Sequence, residues 1–379
     1  MSITISVPKE TRAGEQRVAL VPDIVKKLSA MGASVRVESG AGELAGYADA
    51  DYEAASATIV AEASALYHGA TIVLTVNPPD SGQIAHLDNN SILIGYLNPW
   101  SETYRFHTLQ EKHISAFSME MVPRISRAQA MDALSSQASI AGYKAVLMAA
   151  SLSGKFFPML TTAAGTVRPS KVLIIGAGVA GLQAIATARR LGAIVEGYDV
   201  RAAVKEQVES LGAKFVDIDI KAEGSGGYAR ELTAEEKQLQ QDILARHIAA
   251  ADVVICTAAI PGRPSPRIIT TAMVEAMKGG SVIVDLAAEG GGNCELTQAG
   301  QNIVHRRVTI AGPLNVPGTV PNHASELYSK NLLNMLGLII KDSAIHIDLE
   351  DQILKGSLIT HAGEIVSAAV RDRLQNAGL

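Results

Sequence analysis

The residues best placed to do chemistry are three glycines and an acid: Gly176, Gly178, Gly181 and Asp199. The run Lys171-Val172-Leu173-Ile174-Ile175-Gly176-Ala177-Gly178-Val179-Ala180-Gly181 reads as a buried strand, a G-x-G-x-x-G turn and an apolar helix continuing to Leu191. A second strand ends in Gly197-Tyr198-Asp199, and Asp199 follows Gly181 by eighteen residues. Each part has a task. Gly176 permits the tight turn, Gly178 lets a pyrophosphate approach the backbone, and Gly181 lets the helix sit close to the strand. The helix N-terminus offers N–H groups and a positive dipole end to phosphates. Asp199 can accept hydrogen bonds from both adenosine hydroxyls, and its charge repels a 2′-phosphate. The expected ligand is therefore NAD(H) rather than NADP(H). Arg201 pulls the other way, because an Arg there can accommodate a 2′-phosphate. The alternative is a turn whose glycines serve only the fold; strand, helix and acid in register favour the nucleotide site.

A second polar group stands out in an otherwise apolar chain. Between Pro123 and Tyr143, Gln129, Asp132, Ser135 or Ser136, Ser139 and Tyr143 fall three or four apart, with Arg124 just before them. That spacing predicts one polar face of a helix. Such a face either meets water or, at a domain junction, lines a cofactor cleft. Two loops also qualify as ligand-facing. Glu223–Arg230 is Gly-rich with one Tyr, and reads as a mobile flap or an ordinary linker. Ile260-Pro261-Gly262 follows the end of a strand, where ligands bind in open α/β sheets. Gly40–Gly46 imitates the fingerprint but has G-x-G-x-x-x-G spacing and a polar continuation, so a surface turn is expected.

The elements that must position these residues alternate between strand and helix almost throughout, which predicts an α/β protein with parallel sheets. Strands are expected at Thr4–Val7, Ser34–Glu38, Thr71–Val76, Ser91–Tyr96 and Ser115–Ser118. A second set falls at Lys171–Ile175, Ile194–Tyr198, Lys214–Val216, Asp252–Thr257, Ser281–Leu286 and Thr309–Ala311. These make two doubly wound Rossmann-like domains with the cofactor cleft between them. Helical patterns near Gln129–Ser151 and Ala324–Leu338 would link them. The first domain is then discontinuous, residues 1–135 with 318–379, and residues 136–317 form the nucleotide-binding domain.

Bulk properties narrow the function classes. The chain has 379 residues, 47% hydrophobic and 19% charged, with net charge −5. That composition suits large cores and excludes disorder. No basic block suggests nucleic acid or an anionic membrane surface as partner. No secretory signal and no apolar run of spanning length is seen, so a cytoplasmic protein is expected. Two distant cysteines, Cys256 and Cys294, and scattered histidines give neither a disulfide framework nor metal-ligand spacing.

The segment Arg124-Ile125-Ser126-Arg127-Ala128-Gln129 strongly resembles the signature of the NAD(H)-binding component, domain I, of proton-translocating NAD(P) transhydrogenase. Further similarity lies in Pro8-Lys9-Glu10, Gly14–Ala19, Thr162–Val167, Gly176–Gly181, Asp199-Val200-Arg201, Lys205–Val208, Gly226–Ala229, Ile260–Gly262, Asp285–Ala287 and Gly291–Cys294. The resemblance implies that Arg124, Gln129, Asp132 and Ser135 surround the nicotinamide and its ribose and act in catalysis. It implies cofactor contacts at Gly176, Ala177, Gly178, Val179, Gly181, Asp199, Val200 and Arg201. It places Gly227 and Tyr228 on a mobile loop over the site, with Gln240 and Ala259 nearby. Ala259 departs from the larger aliphatic expected there. NADP(H) would sit only on a partner component. A homodimer is implied, held with a membrane proton-channel component at the inner face of the membrane.

Alanine dehydrogenase resembles the same chain, including Arg17-Val18-Ala19. That family uses a Lys and a His as proton-handling groups. Thr75 and Asn98 stand in their places, and neither is a base near neutral pH. Amino-acid oxidation needs a proton acceptor, whereas hydride transfer between two nicotinamides does not. The expected chemistry is therefore transfer from NADH to NADP+ on the partner. A stand-alone NAD-dependent amino-acid or 2-hydroxy-acid dehydrogenase and an idle NAD(H) sensor are the alternatives.

Overall fold

The computed structural model describes residues 3–101, 104–218, 230, 232–260 and 262–376. The chain forms two compact units: Met1–Gln137 with Gly318–Leu379, and Ala138–Pro317. In the first unit eight strands make one sheet. Its parallel part runs in the order Thr58–Val60, Ala33–Glu38, Ile3–Val7, Ile72–Leu74, Ile92–Gly95, Ser115–Ser118. Leu358–His361 then pairs antiparallel with Ser115–Ser118, and Glu364–Ile365 closes the edge. The chain end thus returns to the first sheet.

In the second unit the parallel order is Lys214–Phe215, Ile194–Tyr198, Lys171–Ile175, Val253–Cys256, Val282–Asp285, Val308–Ala311, with Asn302–His305 antiparallel at the edge. Both sheets are doubly wound, with the order reversing beside the first strand.

Strand side chains alternate between the two faces, and both faces are covered. In the second unit Val172 and Ile174 pack with Ala184, Ile185 and Ala188 on one face. Leu173 and Ile175 pack with Leu244 and Ile248 on the other. Such fully buried aliphatics each contribute roughly 1.5–3 kcal/mol. In the first unit Ile72 and Leu74 join Tyr328, Leu332 and Leu336 of the helix Pro321–Ile339. Val73 faces the opposite core, with Leu93 and Phe106.

One expected element divides in two. Residues Ser126–Met131 form a 3-10 turn, and the α-helix spans Ala133–Leu152. Asp132 lies between them at φ −72°, ψ 84°. Its carboxylate accepts from the Ser135 N–H at 2.9 Å and the Ser135 hydroxyl at 2.6 Å. A capping side chain ends one element and starts the next. Gln129 and Asp132 therefore do not share a helix face with Ser139 and Tyr143, and the single polar stripe is corrected. Gly40–Gly46 is a turn with a 3-10 helix at Glu43–Ala45, as its spacing suggested. Edge pieces such as Thr58–Val60 and the exposed hairpin Leu160–Thr162 with Gly165–Val167 had no clear sequence signal.

Candidate nucleotide site

The turn after Lys171–Ile175 requires its glycines. Gly176 has φ +95°, and a Cβ there would lie 2.7 Å from the Thr257 hydroxyl and 3.1 Å from the Ala258 nitrogen. A Cβ on Gly181 would overlap the Gly176 carbonyl oxygen, so only glycine lets the helix Val179–Arg190 start this close to the strand. Gly178 differs: a Cβ there would meet nothing within 4 Å. Its bareness leaves backbone open at the helix N-cap, where no side chain supplies a capping bond. Open N–H groups at a helix start attract anions. The turn thus fits a pyrophosphate. Ala177 is buried, and Val179 is 42% exposed beside the opening.

Asp199 stands at the end of the neighbouring strand, as its spacing required. Its carboxylate accepts from the Ala177 N–H at 2.8 Å, which ties the acid to the glycine turn. It also takes the Arg201 backbone N–H at 2.9 Å, Nε at 2.9 Å and Nη2 at 2.8 Å. Arg201 is therefore engaged with the acid in this structure. Gln240 is buried, and its amide donates to the Tyr198 hydroxyl at 2.8 Å. It supports the residue before Asp199 from inside. Burial pushes the Tyr198 phenol up to about 12, against the Gln240 hydrogen bond.

Four supporting residues carry no signal of this role in the sequence pattern. The Thr257 hydroxyl donates to the Gly176 carbonyl at 2.8 Å, linking two strand ends. Asn293 accepts from the Ala258 N–H at 3.0 Å and donates to the Ala258 and Pro266 carbonyls, both at 2.8 Å. Asn293 is itself held by Asp285, whose buried carboxylate accepts its N–H at 2.7 Å and the Thr297 hydroxyl at 2.6 Å. The segment carrying exposed Ala259 is anchored this way. A Cβ on Gly142 would overlap the Ala180 carbonyl, so the helix Ala133–Leu152 touches the first turn of Val179–Arg190 there. Only the presence of that glycine inside an Ala-rich helix could have pointed to the contact. Gly227 and Tyr228 lie outside the described residues.

In the first unit Arg124 and Gln129 are exposed, while Asp132 and Ser135 form the cap described above. Arg127 bonds Asp351 at 2.8 Å. Ser136 donates to Asn331 at 2.7 Å, and Gln137 to the Ala324 carbonyl at 3.1 Å, so this part of the segment ties the helix to Pro321–Ile339. Arg17 is buried; it pairs with Glu15 at 2.7 Å and donates to Gln137 at 2.9 Å. Burial would raise the Glu15 carboxyl, but the Arg17 hydrogen bonds and charge outweigh it and hold it at about 2. Among the described residues no group of His, Cys, Asp and Glu could hold a metal.

Two family models together span most of the chain. Alanine dehydrogenase/PNT, N-terminal domain, matches residues 6–141, and alanine dehydrogenase/PNT, C-terminal domain, matches residues 145–368. The first of the separate polypeptides that make up the NAD(P) transhydrogenase alpha subunit of Rhodospirillum rubrum is 46% identical over 377 residues, 97% of this chain and 98% of that one. The chain belongs to the alanine dehydrogenase/PNT family, beside the transhydrogenase alpha subunits. Within the family, a solved transhydrogenase from Sinorhizobium meliloti has TM-score 0.88 and 42% identity, covering 96% of this chain and 99% of its own. Alanine dehydrogenase of Bacillus subtilis is more distant, 29% identical over 97% of this chain and 93% of its own.

Thr75 and Asn98, the two positions that argue against a dehydrogenase, are held rigidly. Thr75 is buried, its hydroxyl finds no hydrogen-bond partner among the described residues, and its carbonyl accepts from the Tyr328 hydroxyl at 2.9 Å. Asn98 has φ +49°, and its N–H donates to Glu120 at 2.8 Å. Burial pushes the Glu120 carboxyl up, against hydrogen bonds from Ser118 and Asn98. Among the described residues no helix is long and apolar enough to cross a membrane.

Proposed function

We propose that this chain is the NAD(H)-binding component of a proton-translocating, Re/Si-specific NAD(P) transhydrogenase. The observation that carries this reading is the end-to-end match to the Rhodospirillum rubrum subunit, 46% identical across 97% of this chain. In this reading the open backbone at Gly178 and the N-terminus of Val179–Arg190 hold the pyrophosphate. Asp199 takes the adenosine ribose and disfavours a 2′-phosphate. Ala177, Val179 and Val200 contribute walls, Ala259 lies on the loop anchored by Asn293, and Gly227 and Tyr228 cover the ligand. Arg124, Gln129, Asp132 and Ser135 orient the nicotinamide end. Bound NADH supplies the hydride. The chain's own residues place and orient that ring and exclude water; they move no proton, because Thr75 and Asn98 are not bases. NADP(H) binds only to the partner component. The protein works as a homodimer, in the cytoplasm, attached to the membrane through that component and a proton-channel component.

The test is reconstitution. This chain is mixed with a separately made NADP(H)-binding component, and transfer from NADH to an NADP+ analogue is followed. Transfer that needs both proteins is expected. Turnover of L-alanine with NAD+ by this chain alone, without transfer in the mixture, would overturn the reading in favour of an alanine-type dehydrogenase.

A further inference from the structure

The acid that the nucleotide reading assigns to the ribose is fully engaged by the chain itself. A carboxylate offers about four lone-pair sites. Oδ1 of Asp199 accepts from the Arg201 N–H and Nε, both at 2.9 Å, and Oδ2 accepts from the Ala177 N–H and Arg201 Nη2, both at 2.8 Å. Two of these donors are backbone and fixed by the turn. The other two belong to one guanidinium, in the planar fork that matches a carboxylate. The Asp199 side chain is 7% exposed and that of Arg201 21%, so the guanidinium closes the acid off at its rim.

A ribose diol also presents two donors to a carboxylate. We propose that Arg201 is an internal stand-in for the adenosine hydroxyls: it latches Asp199 in the absence of nucleotide and must be displaced for NADH to bind. The inference rests on the assignment of Asp199 to the ribose. It assigns Arg201 a role opposite to a simple ligand contact. The two backbone donors stay in place throughout, so the acid keeps its orientation while one pair of side-chain donors is exchanged for two hydroxyls. The latch keeps the carboxylate charged and paired when no nucleotide is present, and NADH affinity is lowered by the free energy of that pair. Exchange at Asp199 is open only to ligands that carry the hydroxyls, so the latch also selects for an intact ribose.

The test is calorimetric titration of wild type, Arg201→Ala and Arg201→Gln with NADH and with an NADH analogue carrying 2′,3′-dideoxyadenosine. Thermal melts confirm that the variants fold. A partly buried bidentate pair is worth more than the usual surface pair, so both variants should bind NADH about three- to tenfold tighter. The gain should vanish with the dideoxy analogue, and raising the salt concentration should narrow the gap with wild type. Weaker or unchanged NADH binding in folded variants would overturn the latch while leaving the site in place. The same gain with the dideoxy analogue would overturn it too. Failure of wild type to bind NADH at all would instead overturn the nucleotide reading, and the latch with it.

Discussion

Replacing Arg17 by Met should destabilise the first unit strongly, and more so as pH rises. Glu15 is fully buried and Arg17 nearly so, with side-chain exposures of 0% and 6%. Arg17 Nε and Nη2 lie 2.8 and 2.7 Å from the two carboxylate oxygens. Burial pulls the Glu15 carboxyl up, but Arg17 prevails and holds it at about 2 instead of the ordinary 4.5. A depressed acid contributes stability that is present above pH 4.5 and lost as pH falls towards 2. The size follows from about 1.4 kcal/mol per pKa unit, so roughly 3 kcal/mol.

Without the cation, Glu15 keeps its Asn77 and backbone donors but faces burial uncompensated. Removing one partner of a buried pair costs about 3–5 kcal/mol. In Arg17→Met the Glu15 carboxyl should titrate above its ordinary range. The loss is then largest at neutral pH and shrinks as pH falls and the acid takes up its proton. Trp100 is the only tryptophan and belongs to the first unit, so urea unfolding followed by its fluorescence reports on this unit. The double variant Glu15→Gln with Arg17→Met should recover much of the loss. A loss below about 1 kcal/mol, equal losses at acid and neutral pH, or a double variant no better than the single would refute the reasoning.

Gly181→Ala would drive a Cβ into the Gly176 carbonyl and push the helix off the strand; about 1–3 kcal/mol of stability and at least about tenfold in NADH affinity should be lost, and an unchanged calorimetric Kd would contradict this. Asn293→Ala leaves the Ala258 N–H and two carbonyls without their partner, so thermal unfolding of the second unit should show a loss of about 1–3 kcal/mol, whereas a shift under about 0.5 kcal/mol would show that the anchor is dispensable. Asp132→Ala should cost about 1 kcal/mol as a lost cap, and Asp132→Asn should restore it; stability restored without hydride transfer would show a further role for the charge, and full restoration of both would limit Asp132 to capping.

The strand skeleton was legible where burial on both faces produced short apolar runs bounded by turn residues. Lys171–Ile175, Ile194–Tyr198 and Ser115–Ser118 have the expected bounds. The glycine turn was legible because its requirements are local: a positive φ at Gly176 and a missing Cβ at Gly181. The break at Asp132 was not, because three-or-four spacing fits a helix whether or not a capping acid interrupts it. Asn293 was not legible as an anchor because its partner Ala258 lies 35 residues away, and nothing in either segment encodes the meeting. Arg201 shows a different limit. Its partner is two residues off, but the sequence pattern gave Asp199 to a ligand and left no reason to pair it within the chain.

The two units pose one further question: why sheets with the same parallel strand order should differ in ligand. In an open α/β sheet the ligand crevice lies where the order reverses, at the carboxyl ends of the two central strands. In the second unit those ends are bare backbone: Gly176 on one strand and Thr257-Ala258 on the other, with Gly178 open. In the first unit the equivalent ends are Val7 and Leu74. Glu10, just past the first, accepts the Val76 and Asn77 N–H groups past the second, at 2.6 and 3.1 Å. Glu38, at the end of the neighbouring strand where the second unit has Asp199, accepts the Lys9 N–H at 2.7 Å. The amides that could cradle a phosphate are thus already bonded to the chain's own carboxylates. Burial raises the Glu10 carboxyl to about 7, against the bonds from Asn77 and Val76, which marks how enclosed that crevice is. A dinucleotide phosphate would have to displace an acid there, whereas at Gly178 it meets open backbone and a helix N-terminus. The same topology therefore supplies a nucleotide site in one unit and a filled, anion-repelling crevice in the other, and the difference comes down to Gly176, Gly178 and Gly181 against Glu10, Glu15 and Glu38.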